Sequence, residues 1–371
     1  MRSTLDELIT ELADLKTLVA SIEPVNQALA GHADTTVRQY LSVRRRFDYA
    51  AFTVALYASF EKFVENLVTS YVRLETQRVD YAALPAKLTA KHLAGTAELL
   101  SRSRGRLGEG RYVGLSDRGV VKNLHDCLSG IKPYSLNEAA VIAHDANLRA
   151  GEVDAAFAVV GIEKICDLAC RSDAIVAWYC KTNSLEVRPP QVKRTVVEER
   201  LKDIVERRNQ VAHRGGNPDD LPGGAAMSEA VGFIESLATS LFGLVVGHYL
   251  ETHYAASAMR IELTLRAEDG PQKNRMSVVI KKPTARIFVG QPVFVIVGAS
   301  GARWGRILSL RLNDAEVQAI EVDADAPEGV GVGLSFKYPK SDTKLVALAA
   351  EDDVVWSPEV VAAATQSADD A

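Results

Sequence analysis

A chain of 371 residues with 47% hydrophobic and 25% charged residues is long enough for two domains and has the make-up of folded protein, not of a disordered segment. Its net charge of -5 argues against a protein that coats nucleic acid through bulk electrostatics, so any contact with RNA must come from a local basic patch. The four cysteines Cys127, Cys166, Cys170 and Cys180 do not make a disulfide framework in a chain of this size.

At the N-terminus Leu5, Leu8, Leu15 and Leu18 are interleaved with Asp6, Glu7, Glu11, Asp14 and Lys16, which is not the apolar core of a secretory signal. No later run reads as long and apolar enough to span a bilayer, so a cytoplasmic protein with no membrane partner is expected. From about residue 3 to 254 the periodicity is helical. Its clearest element runs from Phe47 to Glu75, where Tyr49, Phe52, Leu56, Phe60, Phe63, Leu67, Tyr71 and Leu74 form one stripe at spacings of three and four. A second stripe holds Val54, Tyr57, Ala58, Val64 and Val68, and Glu61 stands in it where an apolar residue is expected.

Residues 101–119, with Arg102, Arg104, Arg106, Arg111 and Arg118 among glycines, read as a basic loop. On charge alone a solvated loop is favoured over a phosphate contact. Helical pattern resumes over 120–128, 136–147, 153–179, 192–213 and 227–254, punctuated by Pro189-Pro190 and the 217–224 stretch. Cys166 and Cys170, four apart on a helix with no CxxC pair, read as core filling and not as a metal site. The segment from Gly108 to Gly114 fits no nucleotide fingerprint, and Ser101 and Ser103 lack the context of a hydrolase elbow. Neither a cofactor nor a metal is expected.

After Tyr254 the pattern changes to short, often alternating runs divided by Gly, Pro, Asn and Asp: 261–266, 276–280, 293–297, 306–312, 317–322, 332–336 and 345–348. The fold class is therefore α+β and multidomain: an all-α helical bundle over 1–256, a small all-β barrel or sandwich over 257–356, and a flexible tail over 357–371. The β region carries Arg260, Lys273, Arg275, Lys281, Lys282, Arg286, Arg303 and Arg306, a surface for RNA or a partner chain, or a solvated face.

The chemistry concentrates at the end of the 192–213 helix. Val197, Leu201, Ile204, Val205, Val211 and Ala212 are its apolar residues, and position 208, seven on from Leu201, continues that stripe as an arginine. A guanidinium keeps its charge, so on such a stripe it needs a carboxylate, a wet cleft or an anionic ligand, unless it snorkels to solvent. Asn209 and His213 are four apart and share a face; Arg208 and His213 differ by roughly 140°. Gly215-Gly216 should stop the helix and leave His213 in its last turn, where the helix dipole favours an imidazolium.

The segment Glu206-Arg207-Arg208-Asn209-Gln210-Val211-Ala212-His213-Arg214-Gly215 resembles the R-N-x-x-x-H signature of the HEPN superfamily, found in bacterial toxins and antiviral defence nucleases. Leu56 to Phe63, with Glu61, looks like that family's early glutamate-bearing helix. His144-Asp145-Ala146-Asn147-Leu148-Arg149 resembles the middle segment of the RiboL-PSP-like branch. The likeness covers roughly residues 40–254. It implies a HEPN-like bundle in which Arg208, Asn209 and His213 are catalytic and Glu61 is a supporting residue, a structural or site partner such as one for Arg208. It further implies a homodimer, or a larger even assembly, whose paired motifs form one composite site.

By the residues and the resemblance together, the expected activity is a metal-independent endoribonuclease. The RNA 2′-hydroxyl would attack the adjacent phosphorus to give a 2′,3′-cyclic phosphate and a 5′-hydroxyl. The expected role is a toxin or abortive-infection effector restrained by an antitoxin or sensor. The alternative is a non-catalytic dimerisation module that recruits a partner through the β region. His125, His144 and His248 are read as ordinary helix residues.

Overall fold

A computed structural model describes residues 1–101, 105, 107, 112–144, 146–213, 221–254, 260–263, 276–296, 302–321, 329–339 and 344–348, with the side chains of residues 42 and 213 left aside. Most of the expected basic loop, Gly215-Gly216, Lys273, Arg275 and the tail lie outside the described residues. The chain forms a helical region followed by an antiparallel sheet region, the α+β class read from the sequence. Packing divides it into two compact units, Thr4–Phe242 and Met1–Ser3 with Gly243–Ala371, a division that falls within one continuous helix.

In the helical unit, α1 (Arg2–Ala30) buries Leu5, Leu8, Leu12 and Leu15 at helical spacing. The helix α2 (Thr35–Arg78) has 44 residues, about 66 Å at 1.5 Å per residue. The Asp34 side chain caps its start by accepting from the Thr36 N–H at 2.7 Å, and neither glycine nor proline interrupts it. Of its stripe, Tyr49, Phe52, Leu56, Phe60, Phe63, Leu67 and Tyr71 are buried as expected, each contributing about 1.5–3 kcal/mol of burial, while Leu74 is only half-buried. In the second stripe Tyr57, Val64 and Val68 are buried while Val54 and Ala58 are exposed.

After the 3-10 turn Tyr81–Ala83 come α3 (Ala86–Ser101), α4 (Asp117–Leu128) and α5 (Glu138–Ile142). The helix expected over 136–147 is only this short α5; from Ala143 the chain leaves helical geometry. A buried polar knot holds the region together. The Asn137 N–H donates to His92 Nε2 at 3.0 Å, and its side-chain amide donates to Thr96 Oγ1 at 3.1 Å and to the Val120 carbonyl at 3.0 Å. Gly95 lets α3 and α5 meet, since a Cβ there would lie 2.5 Å from the Ala140 carbonyl oxygen.

The single helix expected over 153–179 is three, α6 (Ala150–Ala158), α7 (Ile165–Ala169) and α8 (Asp173–Thr182). Gly161 at φ 91° ends the first turn sequence, and Ser172 caps the last by accepting from the Ile175 N–H. Cys166 and Cys170 are buried, and the Cys166 thiol donates to the Ala150 carbonyl. The helix α9 (Arg194–His213) buries Val197, Leu201, Ile204, Val205 and Val211. The last helix, α10 (Gly224–Tyr254), is buried on most sides and is long and apolar enough by composition to cross a membrane, with 61% of its most apolar window buried. That corrects the sequence expectation that no run has this length: Phe233 to Leu250 contains only one charged residue, Glu235.

In the other unit every strand pairing is antiparallel. The strands β1 (Arg260–Glu262), β2 (Ser277–Ile280), β3 (Ile287–Phe288), β4 (Pro292–Ile296), β5 (Ala302–Leu312), β6 (Ala315–Val317), β7 (Ala319–Ile320), β8 (Val330–Leu334) and β9 (Val346–Leu348) run in the sheet order β1-β9-β4-β5-β8-β2, with β6 on β5 and β3 paired to β7. β5 joins two halves, pairing with β4 over 302–306 and with β8 from Ile307, and its register shifts between Ile307 and Ser309. Both halves feed one core of Val278, Ile280, Val293, Val295, Val330 and Val332, among others. The closing turns of α10 pack on β4 and β5: the Trp304 indole donates to the Gly243 carbonyl at 3.3 Å, and Tyr254 meets Phe294 edge-on.

Candidate active site

The candidate residues lie where α9, α2 and the segment after α5 meet. Position 208 falls on the inward side of α9, and its arginine is half-buried. Its guanidinium carbon lies 5.2 Å from the centroid of the Tyr57 ring, and its Nη1 donates to Asn209 Oδ1 at 3.2 Å. Among the described residues Arg208 pairs with no carboxylate. The aromatic face replaces part of the solvation lost on burial and leaves the charge uncompensated.

Asn209 Oδ1 also accepts from the Asn147 side-chain amide at 3.1 Å. Two donors on one oxygen fix which end of the Asn209 amide is oxygen. Its NH2 group then finds no partner among the described residues, so it and the guanidinium both offer N–H donors. Donors without acceptors beside an unpaired cation make a place for an anion.

Glu61 does not pair with Arg208, the partnership the sequence suggested. It accepts from the Tyr57 hydroxyl at 2.8 Å, so Tyr57 stands between them, ring to the arginine and oxygen to the glutamate. The same hydroxyl accepts from the Leu148 N–H at 3.0 Å. Burial, the largest influence, pushes the Tyr57 phenol well above its usual range, and the neighbouring Glu61 adds to this while the Leu148 N–H and Arg208 oppose it. Tyr57 therefore stays a neutral donor.

His144 is not a helix residue, as the sequence reading had it. It lies in the turn after α5, with Nε2 3.1 Å from Glu65 Oε1 and 3.9 Å from Glu61 Oε1, and with Nδ1 2.8 Å from the Ala146 carbonyl. Arg149 extends the contact, 4.0 Å from Glu206 on α9, an exposed pair of small energetic weight. His213 is the residue at which the range of α9 closes, and its side chain lies outside the described residues.

Sequence reasoning thus found Arg208, Asn209 and Glu61 but passed over Tyr57, Asn147 and His144 as members of the cluster. One signal for Tyr57 was present. A buried tyrosine needs a partner for its hydroxyl, and Glu61 is four residues on, on the same helix face. Nothing in residue chemistry singles out Asn147, whose partner is 62 residues away.

A model of the family described as RiboL-PSP-HEPN matches residues 4–246. No curated protein and no solved structure matches the chain.

Proposed function

Because the chain belongs to the RiboL-PSP-HEPN family, and so to the HEPN superfamily, whose members are generally ribonucleases, we propose that it is a metal-independent endoribonuclease acting through Arg208, Asn209 and His213, with Glu61 in support. The observation that carries this reading is Arg208 itself: half-buried, stacked on Tyr57 and paired with no carboxylate among the described residues. An arginine so placed suits a phosphate, which it can hold through two parallel N–H donors while opposing the charge that grows on the oxygens during reaction.

RNA supplies its own nucleophile. The 2′-oxygen bonds to phosphorus as the bond from phosphorus to the 5′-oxygen breaks, the 2′-hydroxyl gives up a proton to a base, and the departing 5′-oxygen receives one from an acid. The products are a 2′,3′-cyclic phosphate and a 5′-hydroxyl, with no water consumed. We assign His213 one of these proton transfers, the task for which imidazole is suited near neutral pH. The second copy of the motif, in a homodimer or larger even assembly, supplies the other. Asn209 donates to a phosphate oxygen, and Glu61 holds Tyr57 beneath Arg208.

The test is cleavage of several RNAs by the assembled full-length protein in EDTA. His213→Ala is expected to lower kcat by about 10²–10⁴-fold and Arg208→Ala by about 10²–10³-fold, with unchanged assembly and cyclic-phosphate ends from the wild type. Should the wild type cut none of the RNAs, or His213→Ala cut as well as wild type, the reading fails and an anion-binding interaction module takes its place. The reading extends to a toxin or abortive-infection effector held in check by an antitoxin or sensor. Induced expression would then halt growth, and Arg208→Ala would relieve the arrest.

A further inference from the structure

The buried stripe of α2 has an apolar counterpart on the opposite side of the same helix. Tyr40, Val43, Phe47, Ala51, Val54 and Ala58 follow at spacings of three and four that average about 3.6 residues, the period of a straight helix, so they hold one line for five turns. Among the described residues Tyr40, Val43, Phe47 and Val54 keep 52%, 40%, 60% and 44% of their surface exposed, and Ala51 and Ala58 are exposed as well. Single exposed apolar residues are ordinary, but a contiguous line of them marks an interaction surface.

The start of α2 is also thinly packed. No described residue from Thr35 to Asp48 is buried, although helical turns draw most of their stability from packing and not from propensity. The Arg46 guanidinium carbon lies 5.2 Å from the centroid of the Phe47 ring, which shelters only part of that ring. At its other end the line reaches the candidate active site: Val54 is one turn before Tyr57 and Ala58 is next to it, and the Tyr57 ring carries Arg208.

We propose that this line is the surface through which two copies of the chain pair, their α2 helices antiparallel about a two-fold axis between Ala51 and Val54. The pairing is argued from the exposed face; its bearing on cleavage rests on the ribonuclease reading. A second copy fits because the line is self-complementary in this arrangement. Its first half is bulky and its second half small, so Phe47 of each copy lies over Ala58 of the other and Ala51 over Val54. Charge agrees with the same register. The run Arg44-Arg45-Arg46, basic even though Asp48 pairs with Arg44, meets the stretch where the other copy carries Glu61 and Glu65. Since an aromatic side chain carries about 150–250 Å², Tyr40 and Phe47 each offer on the order of 100 Å². Two helices in contact over residues 40–65 then reach on the order of 1,000 Å² in all, the lower bound of a specific interface. The axis falls about 7 Å along the helix from each Tyr57, so both Arg208 clusters come to one interface, as a composite site requires.

The mass of the full-length protein in solution, followed over a range of concentrations, tests the pairing without relying on cleavage. The wild type is expected to be a dimer, and Phe47→Glu to weaken it by about 30-fold or more. Leu128→Glu, at an exposed apolar residue of α4, is expected to leave the dimer intact. A monomeric wild type gives the face to some other occupant and overturns the proposal, as does a dimer that survives Phe47→Glu or one that Leu128→Glu breaks equally. A short thiol crosslinker, with the wild type as the blank for the native cysteines, tests the register. Ala51→Cys is expected to link two chains and Tyr40→Cys not, because antiparallel copies hold their residues 40 about 37 Å apart; linking at both positions overturns the antiparallel arrangement. Cleavage separates this inference from the activity beneath it. Pairing of this kind in a protein that cuts no RNA sinks the nuclease and spares the surface, whereas an active nuclease whose dimer ignores Phe47→Glu sinks the surface and spares the nuclease.

Discussion

Tyr57 is the residue on which the local geometry turns, because its ring lies under Arg208 while its hydroxyl serves Glu61 and the Leu148 N–H. Two substitutions separate those roles. Tyr57→Phe keeps the ring but strands the buried Leu148 N–H, so a loss of about 1–3 kcal/mol in urea unfolding is expected. Tyr57→Leu also removes the aromatic face, worth about 0.5–2 kcal/mol to the guanidinium, and is expected to lower RNA cleavage more than Tyr57→Phe does. Equal cleavage by the two would show that the ring does nothing for Arg208. At this scale much of the cluster was legible in the sequence. Arg208 on an apolar stripe and Glu61 in an apolar run both broke the helical pattern, and both proved to be in the cluster. Asn147 and His144 broke no pattern, because in the turn after α5 there is no periodicity for a polar residue to violate.

At the scale of elements, that turn is held in place from behind by the knot of His92, Thr96 and Asn137, which fixes the start of α5 against α3 and α4. His92 Nε2 accepts from the Asn137 N–H, so the ring works only when neutral, and burial pushes its pKa down to about 4. Since an unfolded chain protonates histidine near pH 6.5, the unfolded state binds the extra proton between about pH 6.5 and 4, and acid favours unfolding across that window. A loss on the order of 3 kcal/mol is expected as pH falls through it. Urea unfolding of wild type and His92→Gln at pH 7 and pH 4.5 checks this: the variant should lose less on acidification, and parallel losses would remove His92 as the cause. Element boundaries were the part the sequence told least well. The helix expected over 136–147 stopped at Ile142, and the one over 153–179 broke at Gly161 and Ser172, because an apolar pattern continues across turns that stay buried. The long stripes of α2 and α9 were plain, as were most strands after Tyr254; β3, only Ile287–Phe288, is too short to show alternation.

For the whole molecule, each chain carries a single Arg208-to-His213 motif, and the composite-site proposal makes a sharp demand. Arg208→Ala and His213→Ala chains, each inactive by itself, should regain part of the wild-type cleavage when unfolded and refolded together, because mixed dimers bring an intact arginine and an intact histidine to one site. No gain on co-refolding, with mixed dimers verified by mass, would mean that each chain works alone. The hydrophobic pattern told apart the two kinds of structure in this chain, helix and then antiparallel sheet, because periodicities of 3.6 and 2 differ over even a few residues. The bonds that hold the motif also set an order of events during synthesis. Tyr57 waits 91 residues for its contact at Leu148, and Asn147 waits a further 62 for Asn209. A growing chain therefore has the cradle long before it has the arginine and only then the histidine, so the cluster around Arg208 closes only when nearly the whole helical unit has emerged.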